Sequence, residues 1–207
     1  SVVPEPVAAA AALEVAEAAA RGDTWLLREL ASDHAGESGA VQIYRGAELG
    51  LLVRGEPLSA AVRAREHART EAAHLAMVER LAASPASRTA LVPLWRVAGF
   101  GLGLGPALVG GEEWVNRTTS AVESFVCQHY LAQVEGLEAG GAAPALKQCL
   151  AAAMADEDAH RRGADEEVAA AEAAGGGASP LYEATAAAWE VAVRVGSAAA
   201  AEVARRV

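Results

Sequence analysis

Aromatic residues are scarce in this chain, with 4 Trp, 3 Tyr and 2 Phe among 207 residues. Runs that alternate β-branched or aromatic with polar residues are nearly absent as well, which excludes a sheet-based core. Basic residues are outnumbered, 17 Lys and Arg against 27 Asp and Glu, for a formal charge of -10. No basic stripe is available for nucleic acid, and purely electrostatic attachment to anionic lipid is disfavoured. Only two cysteines occur, Cys127 and Cys149, neither at a metal-binding spacing. They read as small reduced core residues, with a disulfide between two adjacent helices as the alternative. A Gly-rich phosphate loop, a Ser/His/Asp set and a zinc-type cysteine cluster are all missing.

What is present is apolar and helical. The apolar fraction is 53%, carried by Ala, Leu and Val, which favour helix and close helix packing. The expectation is a single all-α domain long enough for a real core. Residues 1–22 read as an Ala-rich arm, a solvated extension or a partner contact, and 23–207 as the bundle. The chain begins at Ser1, which suggests a removed targeting segment or a trimmed start; Glu5, Glu14 and Glu17 do not suit an acid-poor transit peptide. Bundle helices are expected from about Trp25 to Arg54 (with a break near Asp33-His34), Pro57 to Ala83, Glu112 to Glu138 and from Pro144 onward. A last helix starts at Pro180, after a break at Gly175-Gly176-Gly177.

Two Glu-x-x-His steps stand out, Glu71–His74 and Glu157–His160, together with two lone acids, Glu37 and Glu123. Residues three apart share a helix face, so each step can offer an oxygen and an imidazole to one metal. The lone glutamates, from two other helices, can bridge or chelate. The order Glu, Glu-x-x-His, Glu, Glu-x-x-His is that of the ferritin-like di-metal carboxylate bundles. Mixed oxygen and imidazole ligation suits iron or manganese better than a closed zinc site. Chance alone would place an acid three before a histidine roughly 0.7 times here. The spacing by itself therefore leaves open a pair of surface i,i+3 polar pairs. His129 falls about 120° from Glu123, within reach of the ligands' own partners. Asp156 and Asp158 could orient an imidazole or face solvent. Glu66 and His67, among Arg63, Arg65 and Arg69, read as solvated.

Between Leu91 and Gly110 the only charge is Arg96. The length could just cross a bilayer, but the glycines, Pro93 and Pro106 favour a helix lying in the membrane surface, with Trp95 and Phe100 near the headgroups. A fifth core helix is the alternative.

Three blocks resemble demethoxyubiquinone hydroxylase, the ferritin-like di-iron monooxygenase family of ubiquinone biosynthesis. They are Asp33-His34-Ala35-Gly36-Glu37 with Ile43-Tyr44; the run from Leu91 to Gly110; and Ala121-Val122-Glu123, His129-Tyr130 and Asp156-Glu157 with His160. The second block has no part in metal binding and is independent support. The resemblance implies a four-helix bundle with an additional apolar membrane-associated helix, Leu91 to Leu108, and a C-terminal helix. It implies two iron ions held by Glu37, Glu71, His74, Glu123, Glu157 and His160, with Tyr130 and His129 lining the catalytic pocket. It further implies NADH as electron donor, a polyprenyl quinone substrate, a peripheral place on the matrix side of the mitochondrial inner membrane, and a lipid-binding accessory protein as partner.

Some positions depart from the family. Ala31 and Ala47 stand where Arg and Gln are expected, and Ala198 and Glu202 where an Arg and a Tyr should reach the pocket. These departures, the N-terminal arm and the Ala-rich last helix motivate a second reading, a relative recruited as a structural subunit of a mitochondrial membrane complex. Iron binding without hydroxylation is a third, for which the apolar helix has no use.

Overall fold

The computed structural model describes residues 3–82, 84–140, 143–174 and 179–206. The described residues form an all-α bundle: α1 (Glu5–Ala20), α2 (Thr24–Arg54), α3 (Leu58–Leu81), a 3-10 turn at Pro85–Ser87, α4 (Val92–Ala139), α5 (Pro144–Ala174) and α6 (Pro180–Ala204). Gly175, Gly176 and Gly177, expected as a break, lie outside the described residues, as does Gly141.

Local signals set the ends. Asp23 caps α2 by accepting from the Leu26 amide at 3.0 Å, satisfying one of the free N–H groups of the first turn. Gly55, at φ 81°, ends α2 in the left-handed conformation, which glycine adopts without a Cβ penalty. Pro57 then precedes α3. The break expected near Asp33-His34 does not occur: α2 is continuous, because both side chains find buried polar surroundings on one helix.

α4 consists of two arms meeting at Gly111, whose φ 67° and ψ -149° are non-helical. The first arm is the apolar run and the second belongs to the bundle with α2, α3 and α5. Gly99 and Gly103 of the first arm form its contact stripe. A Cβ on Gly99 would collide with the Gly39 carbonyl, and one on Gly103 with the Ile43 carbonyl. The arm therefore lies backbone against backbone on α2. Its other side leaves Leu94, Val97, Leu108 and Val109 exposed. Trp95, expected near headgroups, is only half exposed; its indole N–H points at Thr89 Oγ1, 3.4 Å away.

The N-terminal segment is not a solvated extension. Ala8, Ala11, Val15 and Ala18 bury one face of α1, and Ala11, Val15 and Ala18 join Leu26, Leu30, Leu81, Leu146 and Leu150 in one core cluster. The Glu14 carboxylate accepts from the amides of Ala145 and Leu146 at 3.2 and 2.8 Å, so α1 caps the positive end of α5. Both cysteines are free thiols.

α6 crosses α2 and α4. Arg117, buried on α4, donates to Glu190 on α6 at 3.1 Å and to Glu172 on α5 at 2.7 Å. Trp189 donates to Thr118 at 2.9 Å. These bonds fix α6 beside the carboxylates of the bundle core.

Candidate metal centre

The bundle brings six side chains from four helices to one place: Glu37 from α2, Glu71 and His74 from α3, Glu123 from α4, and Glu157 and His160 from α5. The four glutamates and His74 are buried, and the His160 side chain is 12% exposed. Their donor atoms form two groups, Glu37, Glu71, His74 and Glu157, and Glu71, Glu123, Glu157 and His160, each within 4.8 Å. Glu71 and Glu157 belong to both. Glu71 turns Oε2 toward His74 Nδ1, at 3.6 Å, and Oε1 toward His160 Nδ1, at 3.2 Å. Glu157 mirrors it, with Oε1 at 2.8 Å from His74 Nδ1 and Oε2 at 3.3 Å from His160 Nδ1. The glutamates common to both groups are thus those of the two Glu-x-x-His steps, while the lone Glu37 and Glu123 sit at the outer ends.

These short distances lack hydrogen-bond directionality. Glu37 Oε2, Glu71 Oε1, both Glu157 oxygens and the Nδ1 atoms of His74 and His160 are buried without a hydrogen-bond partner. Buried polar atoms are almost always satisfied, so converging acceptors left unbonded are the mark of a cation site. Four carboxylates and two neutral imidazoles nearly balance two divalent ions, and the donor set fits them.

Electrostatics of the bare cluster agree. Burial, then the neighbouring carboxylates of Glu71 and Glu157, hold Glu37 well above the usual carboxyl range. Burial, then Glu157 and Glu71, do the same to Glu123. For Glu71 burial works upward too, but the two imidazoles outweigh it and lower the carboxyl. Burial works to lower both imidazoles, yet the adjoining carboxylates raise His74 to about 12 and His160 to about 9. A metal bound here would have to displace the imidazole protons.

The clustered side chains are themselves held. Tyr44 donates to Glu123 Oε1 at 2.6 Å, and Tyr130 donates to Glu37. Asp156 lies 3.2 Å from His74 Nε2, whereas Asp158 faces outward to Arg161 and Arg162. His67, expected to be solvated, is not. Its ring stacks on His160 with centroids 4.1 Å apart and planes at 14°. Burial, then the charge of His160, lowers its pKa to about 4.

A cavity of about 510 Å³ opens onto Glu37, Glu71, Glu123 and Glu157. Its walls are the apolar arm (Trp95, Ala98, Gly99, Leu102), α2, the second arm of α4, and small residues of α6 including Ala192, Gly196 and Ala200. His129 and Tyr130 both line it. His129 does not touch the six clustered side chains. Its Nε2 lies 3.0 Å from Asp33 Oδ1, and Arg205 approaches its Nδ1 at 3.2 Å. Arg205 also binds both oxygens of Glu29, at 2.9 and 3.0 Å. An arginine does reach this rim, from Arg205 and not from position 198, where Ala198 is exposed. Glu202 is also exposed, paired with Arg205 and Arg206. Ala31 and Ala47 are simply buried in packed helix faces.

Comparison with known proteins identifies the family. The 3-demethoxyubiquinol 3-hydroxylase of Rhodospirillum rubrum is 44% identical over 112 residues, 53% of this chain and 50% of the relative. The NADPH-dependent 3-demethoxyubiquinone 3-hydroxylase, mitochondrial, of Dictyostelium discoideum is 41% identical over 112 residues, 53% and 48% of the two chains. The Homo sapiens protein of the same name is 39% identical over 108 residues, 51% and 46%. The chain spans about half the length of the curated relatives it matches. The profile described as ubiquinone biosynthesis protein COQ7 matches residues 24–202, from the start of α2 nearly to the end of α6, and the chain belongs to that family.

Proposed function

We propose that this chain is a di-iron carboxylate monooxygenase that hydroxylates a demethoxyubiquinone-type polyprenyl quinone. The observation that carries the reading is the sharing of Glu71 and Glu157 between two donor groups, directly beside a largely apolar cavity that reaches the apolar arm. Glu37, Glu71, His74 and Glu157 would hold one iron, and Glu71, Glu123, Glu157 and His160 the other. When bound, a ferrous pair supplies the two-electron activation of O2 that hydroxylation requires.

The rest of the work falls to the chain. Glu37 and Glu123 close the outer ends of the site, each aimed by a tyrosine hydroxyl. The cavity takes the quinone ring and excludes water, which strengthens every electrostatic interaction inside it. Its wall of Trp95, Gly99 and Leu102 makes the apolar arm both membrane contact and substrate entry. A polyprenyl tail has almost no aqueous concentration, so a slot that opens beside lipid solves delivery. The arm is long and apolar enough to cross a membrane by composition, with mean hydropathy 1.3. Its glycine stripe against α2 favours a peripheral placement with Leu94, Val97 and Val109 toward lipid, which we take to be the matrix face of the mitochondrial inner membrane. His129 and Tyr130 face the quinone from the α4 side.

The reductant is a reduced nicotinamide nucleotide. NADH was the expectation from the resemblance, while the names of the mitochondrial relatives print NADPH. An accessory role in a larger complex is the alternative, motivated by the altered pocket, the N-terminal arm and the Ala-rich last helix; against it, Arg205 brings an arginine to the same rim from another position, and α1 packs into the chain's own core.

Complementation of a quinone-auxotrophic strain lacking its hydroxylase tests the reading. The parent chain should restore quinone synthesis, and Glu71→Ala and Glu157→Ala should not. Restoration by those two variants would end the proposal.

A further inference from the structure

His67 has no part in the assignment above, yet it is built into the centre. Its ring stacks on His160, 4.1 Å between centroids at 14°, and meets the edge of Tyr44 at 4.9 Å and 73°. Tyr44 is the residue that holds Glu123. His67 thus touches one donor, His160, and the residue that holds a second, Glu123, both in the group of Glu71, Glu123, Glu157 and His160.

The two imidazoles of the cluster are secured differently. His74 has Asp156 3.2 Å from its outer nitrogen, Nε2. A partner of that kind fixes the ring plane and tautomer of a ligating histidine. Among the described residues, His160 makes no directed hydrogen bond; its Nδ1 faces Glu71 and Glu157. The His67 ring lies over its face at 4.1 Å, and the Tyr44 ring meets it edge-on at 6.0 Å. His67 also forms part of a second cavity, about 390 Å³, which shares no lining residue with the apolar slot and includes Arg63, Asn116, Thr119 and His160. Without the His67 ring, His160 would turn freely about its side-chain torsion and face that polar space.

We propose that His67 is a positioning residue for the His160 metal position, holding by ring stacking the imidazole whose outer nitrogen, unlike that of His74, has no carboxylate beside it among the described residues. The two metal positions are consequently unequal. The His74 position, with its ring tied by Asp156, fills first, and the His160 position fills second and depends on His67. This inference rests on the di-metal reading of the cluster.

Anaerobic titration of the purified full chain with Co(II), followed by its visible absorption, tests it. The parent should take up two equivalents in two steps. His67→Leu fills the volume without a flat ring, and His67→Phe keeps the ring without its nitrogens. His67→Leu should weaken the second step by about tenfold or more and change its absorption bands, leaving the first step as in the parent. His67→Phe should return both to the parent values. Far-UV circular dichroism of the metal-free variants checks that each is folded. An unchanged second step in His67→Leu overturns the inference, and so does a His67→Phe protein that behaves like His67→Leu. A parent that binds no Co(II) overturns the di-metal reading itself, and this inference with it.

Discussion

The hydroxyl of Tyr44 lies 2.6 Å from Oε1 of Glu123 and donates to it. Both groups are buried to within 2% exposure, so neither has water as a substitute. Tyr130 stands in the same relation to Glu37 on the other side of the cluster. Each outer carboxylate therefore offers one held oxygen and one facing the cluster. Removing the hydroxyl strands a buried acceptor, which costs about 1–3 kcal/mol. Tyr44→Phe is expected to lower the stability of the metal-free chain by that amount in urea denaturation, and to weaken the His160 metal position more than the His74 position. Equal weakening of both would contradict the pairing of Tyr44 with one end of the site.

Shared and outer glutamates should differ in kind. Glu71→Ala or Glu157→Ala removes a donor common to both groups and should abolish tight uptake of either metal. Glu37→Ala or Glu123→Ala removes a donor from one group only. Each should leave close to one metal per chain, read by elemental analysis after desalting. Equal losses from all four variants would mean that the two donor groups do not act as separate positions.

Metal uptake and pH are linked with a definite sign. Burial would lower His160, but the Glu157 and Glu71 carboxylates raise it to about 9 in the bare cluster. A raised folded-state pKa means that the folded chain holds this proton more tightly than the unfolded chain does. The resulting stabilisation is complete below about 6.5 and is lost as pH rises through 9. A metal must displace the same proton. Affinity for Co(II) should therefore increase between pH about 6.5 and 9, while the metal-free melting temperature falls across the same window. A pH-independent affinity would show that the imidazole is not a ligand.

The clustering of the six side chains was legible in the sequence because it follows one geometric rule, that residues three apart share a helix face. Which carboxylates stand between the two donor groups was not, since that depends on which way α3 and α5 turn two oxygens of one side chain. His67 was misread through its arginine neighbours. It lies four residues before Glu71, the other spacing that shares a face, and that signal was available. The helix of the N-terminal arm was legible, but its packing into the core was missed for a related reason: Ala8, Ala11, Val15 and Ala18 recur at helical spacing, yet alanine gives little hydrophobic contrast. The glycines of the apolar run spoke against a spanning helix, yet nothing local to them names α2 as the backbone they accommodate. Arg205 fills a role expected near position 198, and only the path of α6 reveals it.

The apolar arm should separate into two functions by mutation. A side chain at Gly103 meets the Ile43 carbonyl, and overpacking of this kind costs about 1–3 kcal/mol. Gly103→Val should lower the melting temperature. Val97 and Val109 are 72% and 73% exposed, and exposed sites shift stability by only about 0.5 kcal/mol either way. The double variant Val97→Asp, Val109→Asp should melt like the parent but fail to sediment with phospholipid vesicles. Undiminished sedimentation would place the lipid contact elsewhere.

Arg205 fastens the end of α6 over the cavity. Its guanidinium forks onto both oxygens of Glu29 at 2.9 and 3.0 Å and reaches His129 Nδ1 at 3.2 Å. The Arg205 side chain is 25% exposed and that of Glu29 11%, so solvent screens the pair in part. Removing one partner should cost about 1–2 kcal/mol, less than the 3–5 of a fully buried pair. Arg205→Ala leaves Glu29 without its counter-charge, while Gln133 still donates to it weakly at 3.3 Å. Arg205→Lys keeps the charge but loses the fork, and should recover only part of the loss. Because the last turns of α6 include Ala200 and Ala201 of the cavity wall, their amides should exchange with deuterium faster in Arg205→Ala. Those of α3, remote from the latch, should exchange as in the parent. Uniform acceleration throughout the chain would instead indicate that Arg205 supports global stability and is no local fastening of the cavity wall.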